Sequence, residues 1–128
     1  MKDYKRVIIV DDNETAIFLN RDIVGEVFGG AEVISFTNSQ EFIDRSFETP
    51  EWFSEQTLLL LDINMPGKFG YEVLDEMEDE IDDLGEMDVL MVTSSNLKRD
   101  IEVTSRFTCV IGYIVKPLTV EDLRNSVA

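Results

Sequence analysis

Four short apolar runs punctuate the chain: Val7-Ile8-Ile9-Val10, Leu58-Leu59-Leu60-Leu61, Val89-Leu90-Met91-Val92 and Val110–Val115. Runs of this length between turn residues predict strands buried on both faces. A fifth, Glu32–Phe36, is more alternating and predicts a strand nearer the edge of the sheet. Helical spacing fills the intervals. Over Glu14–Phe28 the stripe is Ala16, Leu19, Ile23 and Val27, with Asn13 or Asp12 placed to cap it. Asn38 with Glu41 resembles a capping box that opens a helix carrying Phe42, Ile43 and Phe47. Tyr71–Glu80 offers Leu74 and Met77, continued by Ile81, and Asn96–Arg106 offers Leu97, Ile101 and Thr104. Thr119 with Asp122 opens a last helix whose apolar positions are Val120, Leu123 and Val127.

Strand then helix, repeated five times, implies a parallel sheet with helices on both faces, because parallel strands need crossover connections. A chain of 128 residues fits one such α/β domain. Trp52-Phe53, after Pro50, is expected to anchor the core. Gly25 inside the first helix costs roughly 1 kcal/mol against Ala, and nothing in the sequence accounts for it.

Charge and composition then remove whole classes of function. With 27 acids against 11 bases the formal net charge is −16, which disfavours nucleic acid and anionic lipid as partners. The absence of histidine excludes His-based triads and His metal sites. One cysteine, Cys109, allows no intrachain disulfide. No apolar stretch approaches a membrane span and the first apolar run is too short for a signal peptide, so a cytoplasmic location is expected. Nine acids crowd Asp75–Asp88, a run read first as a solvated helix end and only second as a docking surface for a basic partner.

In open α/β sheets ligands bind beyond the carboxyl ends of the strands, where strand order reverses. Strand one ends in Asp11-Asp12, strand three in Asp62, strand four in Thr93-Ser94-Ser95 and strand five in Lys116-Pro117. Three carboxylates at one edge repel, by about 4 kcal/mol per pair at ~4 Å and an effective dielectric near 20. Either one is protonated or a cation is bound. Oxygen-only donors point to a hard ion, Mg²⁺ above all, and Mg²⁺ is commonly shared with phosphate oxygens. Thr93 and Lys116 are then suited to meet a phosphoryl group, and a carboxylate can itself accept one.

These residues, with Met65-Pro66 and Gly70 after Asp62 and Tyr113 three residues before Lys116-Pro117, resemble the receiver domain of bacterial two-component response regulators. The stand-alone chemotaxis-type or phosphorelay-type format is the nearest in kind, and the resemblance spans residues 4–127. It implies a (βα)5 flavodoxin-like fold of strand order 2-1-3-4-5, with residues 1–128 forming a single receiver domain. Asp62 would be the phosphoacceptor, attacking the phosphohistidine of a separate histidine kinase or phosphotransfer protein. Asp12, Asp62 and the Asn64 backbone carbonyl would hold Mg²⁺, with Asp11 acting largely through water. Thr93 and Lys116 would bind the phosphoryl oxygens, Tyr113 would change rotamer with Thr93, and the Lys116–Pro117 bond would be cis. A downstream protein would dock on the last two helices and the fifth strand, on or near which Lys98, Arg99 and Arg106 form either a local basic patch or plain solvated helix positions. Asn64 and Ser95 occupy places that tune dephosphorylation in the family.

Three rivals share the fold or the chemistry. A flavodoxin-type carrier needs a Ser/Thr/Gly-rich phosphate loop where this chain has Asp11-Asp12-Asn13-Glu14. An aspartyl-phosphate phosphohydrolase needs an Asp-x-Asp pair, and Asn64 stands two residues after Asp62. That argues against multiple turnover on an external substrate. A receiver that binds proteins without phosphorylation is the third, and a short last helix admits the regulatory fragment of a longer regulator.

Overall fold

The computed structural model describes residues 3–65, 67–80 and 84–128, without the Glu80 side chain. Pro66 of the motif, Ile81 of the third helical stripe, and Asp82 and Asp83 of the acidic run lie outside it. The strands are β1 (Arg6–Val10), β2 (Glu32–Phe36), β3 (Thr57–Leu61), β4 (Met87–Thr93) and β5 (Val110–Val115). They form one parallel sheet, as the alternation predicts, in the order β2-β1-β3-β4-β5 that the resemblance implies. The helices are α1 (Glu14–Val27), α2 (Ser39–Glu48), α3 (Glu51–Ser54), α4 (Gly70–Glu80), α5 (Lys98–Ser105) and α6 (Val120–Ser126). The single turn of α3 is additional to the five expected; it starts behind Pro50, whose fixed φ suits a helix start.

Alternation along the strands builds two cores. Ile8, Val10, Leu59 and Leu61 face α2, α3 and α4 and pack with Phe42, Ile43, Trp52, Leu74 and Met77. Val7, Ile9, Leu58 and Leu60 face α1 and α6 and pack with Ile17, Val24, Leu123 and Val127. β1 and β3 are therefore covered on both sides, as strands of a doubly wound sheet must be. β5 takes the expected second edge of the sheet, but it is not buried on both faces as its apolar run predicts: Ile111 and Val115 are exposed.

Three helical stripes also shift. In α1 the buried line is Ile17, Asn20 and Val24; Ile23 and Val27 flank it half-buried and Leu19 is 53% exposed. Phe47 of α2 is exposed, as are Leu97 and Ile101 at α5. The caps hold: the side chains of Asn13, Asn38 and Thr119 accept from the backbone N–H groups of Ala16, Glu41 and Asp122.

Candidate functional site

The site is assembled by strand register. Val10 pairs with Leu61 across β1 and β3, so Asp11 and Asp62, one residue further on, leave the sheet side by side. Strand order reverses between these two strands, since the chain goes from β1 outward to β2 and then crosses to β3. Each carboxylate is fixed in the same way. Asp11 Oδ1 accepts the Asn13 N–H at 2.9 Å and Asp62 Oδ1 accepts the Asn64 N–H at 3.1 Å. Asp11 and Asp62 are buried, whereas Asp12 and Asn64 are exposed. One oxygen from each of Asp11, Asp12 and Asp62 lies within 4.8 Å of the others.

Lys116 enters from the far side of the sheet. Its backbone N–H donates to the Thr93 carbonyl at 2.8 Å, and the bond to Pro117 is cis. Its Nζ stands 2.6 Å from Asp11 Oδ2 and 3.2 Å from Asp62 Oδ2. Burial alone would lower the Lys116 pKa. The hydrogen bond to Asp11 and the charge of Asp62 outweigh it and hold the ammonium above its ordinary value. Burial raises the Asp11 carboxyl, an effect that Lys116 and the Asn13 N–H offset only in part. The sequence assigns Lys116 to an incoming phosphoryl group; in this structure it is the counter-ion of two carboxylates. Three carboxylates against one ammonium still leave the site anionic, and its donors are all oxygen. That donor set fits a hard divalent cation of the Mg²⁺ type.

Thr93 is buried, and its Oγ1 accepts the Ser95 N–H at 3.3 Å rather than meeting Asp62. Tyr113 Oη donates to the Ser95 carbonyl at 2.8 Å. Burial, with the charges of Asp100 and Asp62, raises the Tyr113 phenol above its ordinary value despite that bond. Sequence reasoning missed Asp100, a buried carboxylate of α5 that accepts from Ser95 Oγ at 2.6 Å. An acid in the first turn of a helix reads as a surface group that complements the helix dipole, so only the fold reveals it. Gly70 opens α4 against the site, where a Cβ would lie 2.5 Å from the Asp62 carbonyl oxygen. The three expected basic residues are partly compensated: Lys98 lies 3.9 Å from Glu102, Arg99 3.9 Å from Asp100, and Arg106 shares a groove with Asp75 and Glu78.

The response regulator receiver domain family matches residues 7–128. The chain belongs to that family. It is 34% identical over 116 residues to the polar-differentiation response regulator DivK of Brucella anthropi, covering 91% of this chain and 87% of that one. It is 30% identical over 123 residues to the chemotaxis protein CheY of Pseudomonas aeruginosa, covering 95% and 92%. A two-component response regulator from Cytophaga hutchinsonii superposes with a TM-score of 0.86 at 26% identity, covering 98% of this receiver and 96% of that chain. Receiver domains are signalling modules, and phosphorylation and Mg²⁺ at an acidic pocket are typical of them. No helix among the described residues of this receiver is long and apolar enough to cross a membrane.

Proposed function

We propose that residues 1–128 act as a single receiver that takes a phosphoryl group on Asp62 from the phosphohistidine of a histidine kinase or phosphotransfer protein. The observation that carries this reading is the Asp62 carboxylate, buried but facing Asp11, Asp12 and Lys116 at the strand switch point. One Asp62 oxygen attacks phosphorus, the phosphorus–nitrogen bond breaks, and the imidazole leaves with its electron pair and takes up a proton. Asp12, Asp62 and the Asn64 carbonyl would hold Mg²⁺, with Asp11 acting through water. Bound there, the ion supplies charge neutralisation for the phosphoryl oxygens.

Phosphorylation replaces about one charge with about two and adds acceptor oxygens. Lys116, now shared by Asp11 and Asp62, gains a stronger partner, and the Thr93 hydroxyl turns from Ser95 toward the new oxygens. Tyr113 follows, since its hydroxyl hangs on the same loop. The output is a change in protein binding on the face of α5, β5 and α6. Exposed Leu97, Ile101, Ile111 and Val115 support that placing, together with a groove lined by Ile101, Thr104, Val110, Ile111 and Tyr113. The chain turns over only its own phosphoryl group, by autodephosphorylation, and a cytoplasmic setting agrees with these partners.

Intact mass after incubation with a small phosphoryl donor tests the reading. One phosphoryl group is expected with Mg²⁺, none without it, and none on Asp62→Ala. No gain in the wild-type chain under conditions that modify another receiver would leave phosphorylation-independent binding.

A further inference from the structure

Ser95 makes four hydrogen bonds, which join Thr93, the start of α5 and Tyr113 of β5. Its N–H donates to Thr93 Oγ1 at 3.3 Å and its hydroxyl donates to Asp100 Oδ2 at 2.6 Å. The same hydroxyl accepts the Leu97 N–H at 3.3 Å, and its carbonyl accepts from Tyr113 Oη at 2.8 Å. Ser95 is 7% exposed and Asp100 5%. A serine hydroxyl alone suffices to satisfy a free N–H at a helix start. A buried carboxylate is a costly addition to such a cap, because a charge removed from water is stabilised only by good partners. Besides Ser95, Asp100 has Arg99 at 3.9 Å, whose side chain is 78% exposed. The Ser95 pairing therefore ties the start of α5 to the residue whose N–H rests on Thr93.

We propose that Ser95 and Asp100 are positioning residues that transmit the state of the phosphoryl site from Thr93 to α5 and β5 together. The inference rests on the reading that Asp62 is phosphorylated and that Thr93 then turns toward it. When the Thr93 hydroxyl turns, the Ser95 N–H loses its acceptor and the Ser95 peptide must move to find another. Ser95 cannot move alone. Its carbonyl carries Tyr113 of β5, and its side chain carries Asp100 of α5 through a bond of 2.6 Å. One displacement therefore reaches a helix and a strand at once. It also assigns Ser95 a hydroxyl already engaged with α5 rather than one facing the phosphoryl group.

Hydrogen exchange of residues 98–105 and 110–115, read with and without a small phosphoryl donor and Mg²⁺, tests the proposal while intact mass reports occupancy. In the wild-type chain both segments should respond to phosphorylation. Ser95→Ala and Asp100→Ala should still take up the phosphoryl group, with the response of 98–105 reduced at least about fivefold, the lower end of ordinary coupling between sites. Asp100→Asn keeps an oxygen acceptor for Ser95 and should retain the response, which a merely structural loss would not restore. Should Asp100→Ala fail to fold, Ser95→Ala removes the same bond from its other end and decides the matter. Phosphorylated Ser95→Ala with the wild-type response in 98–105 would overturn this proposal alone. A wild-type chain that gains no mass would overturn the phosphoacceptor reading and this proposal with it.

Discussion

Lys116 and Tyr4 satisfy acidic neighbours by different means, one with a charge and the other with a dipole. Lys116 reaches two carboxylates on two strands. Tyr4, buried against Phe28, donates its hydroxyl to Asp88 Oδ2 at 2.7 Å. Burial first, and then the bond and charge of Asp88, raise the Tyr4 phenol well above its ordinary value. The unfolded chain thus loses this proton near pH 10 while the folded chain keeps it. The stabilisation is present below pH 10 and is lost as pH rises above it, at up to ~1.4 kcal/mol per pH unit for one proton. Urea midpoints between pH 9 and 11.5 should fall for the wild-type chain and fall less steeply for Tyr4→Phe. Equal slopes would show that the phenol is not held neutral.

Gly70 shows how an element depends on one missing atom. Its N–H donates to the Ile63 carbonyl at 2.9 Å, and that closeness seats the start of α4 on the loop that follows Asp62. Gly70→Ala must move this backbone, since the Cβ meets an Asp62 carbonyl oxygen that cannot swing aside. We expect a loss of ~1–3 kcal/mol by urea unfolding, the usual scale for overpacking, and slower phosphoryl uptake from the displaced Asp62. Wild-type values of both would refute the steric argument. Elements of this kind were legible in the sequence where the signal was local. The four apolar runs gave strands, and Asn13, Asn38 and Thr119 marked helix starts because a cap acts within three residues. The phase of α1 was not legible, because the buried line runs through polar Asn20, which no apolar stripe includes. The carboxylates Asp11, Asp12 and Asp62 could be brought together from strand ends alone. The double grip of Lys116 and the burial of Asp100 depend on register and on packing from distant segments, which a linear pattern does not carry.

For the whole molecule the dominant quantity is the net charge of −16. Self-repulsion on this scale destabilises the compact state and is screened over about 10 Å at 0.1 M salt. NaCl should therefore raise the melting temperature gradually. MgCl₂ at matched ionic strength should raise it further, because an ion held by the native state alone adds stability by mass action. Asp12→Ala should keep the NaCl response and lose the excess from Mg²⁺. Identical curves for the two salts in the wild-type chain would refute a divalent site.

The two cores give this charge-laden site an uneven mounting. Asp11 and Asp62 stand on β1 and β3, which are covered on both faces, while Lys116 and Tyr113 belong to the half-exposed edge at β5. Local opening follows such differences in cover, with the least packed segments parting first. The site is thus built like a vice, with its acidic jaw set in the covered heart of the sheet and the jaw that carries the lysine and the tyrosine set on its rim. Any local opening is expected to reach the rim jaw first.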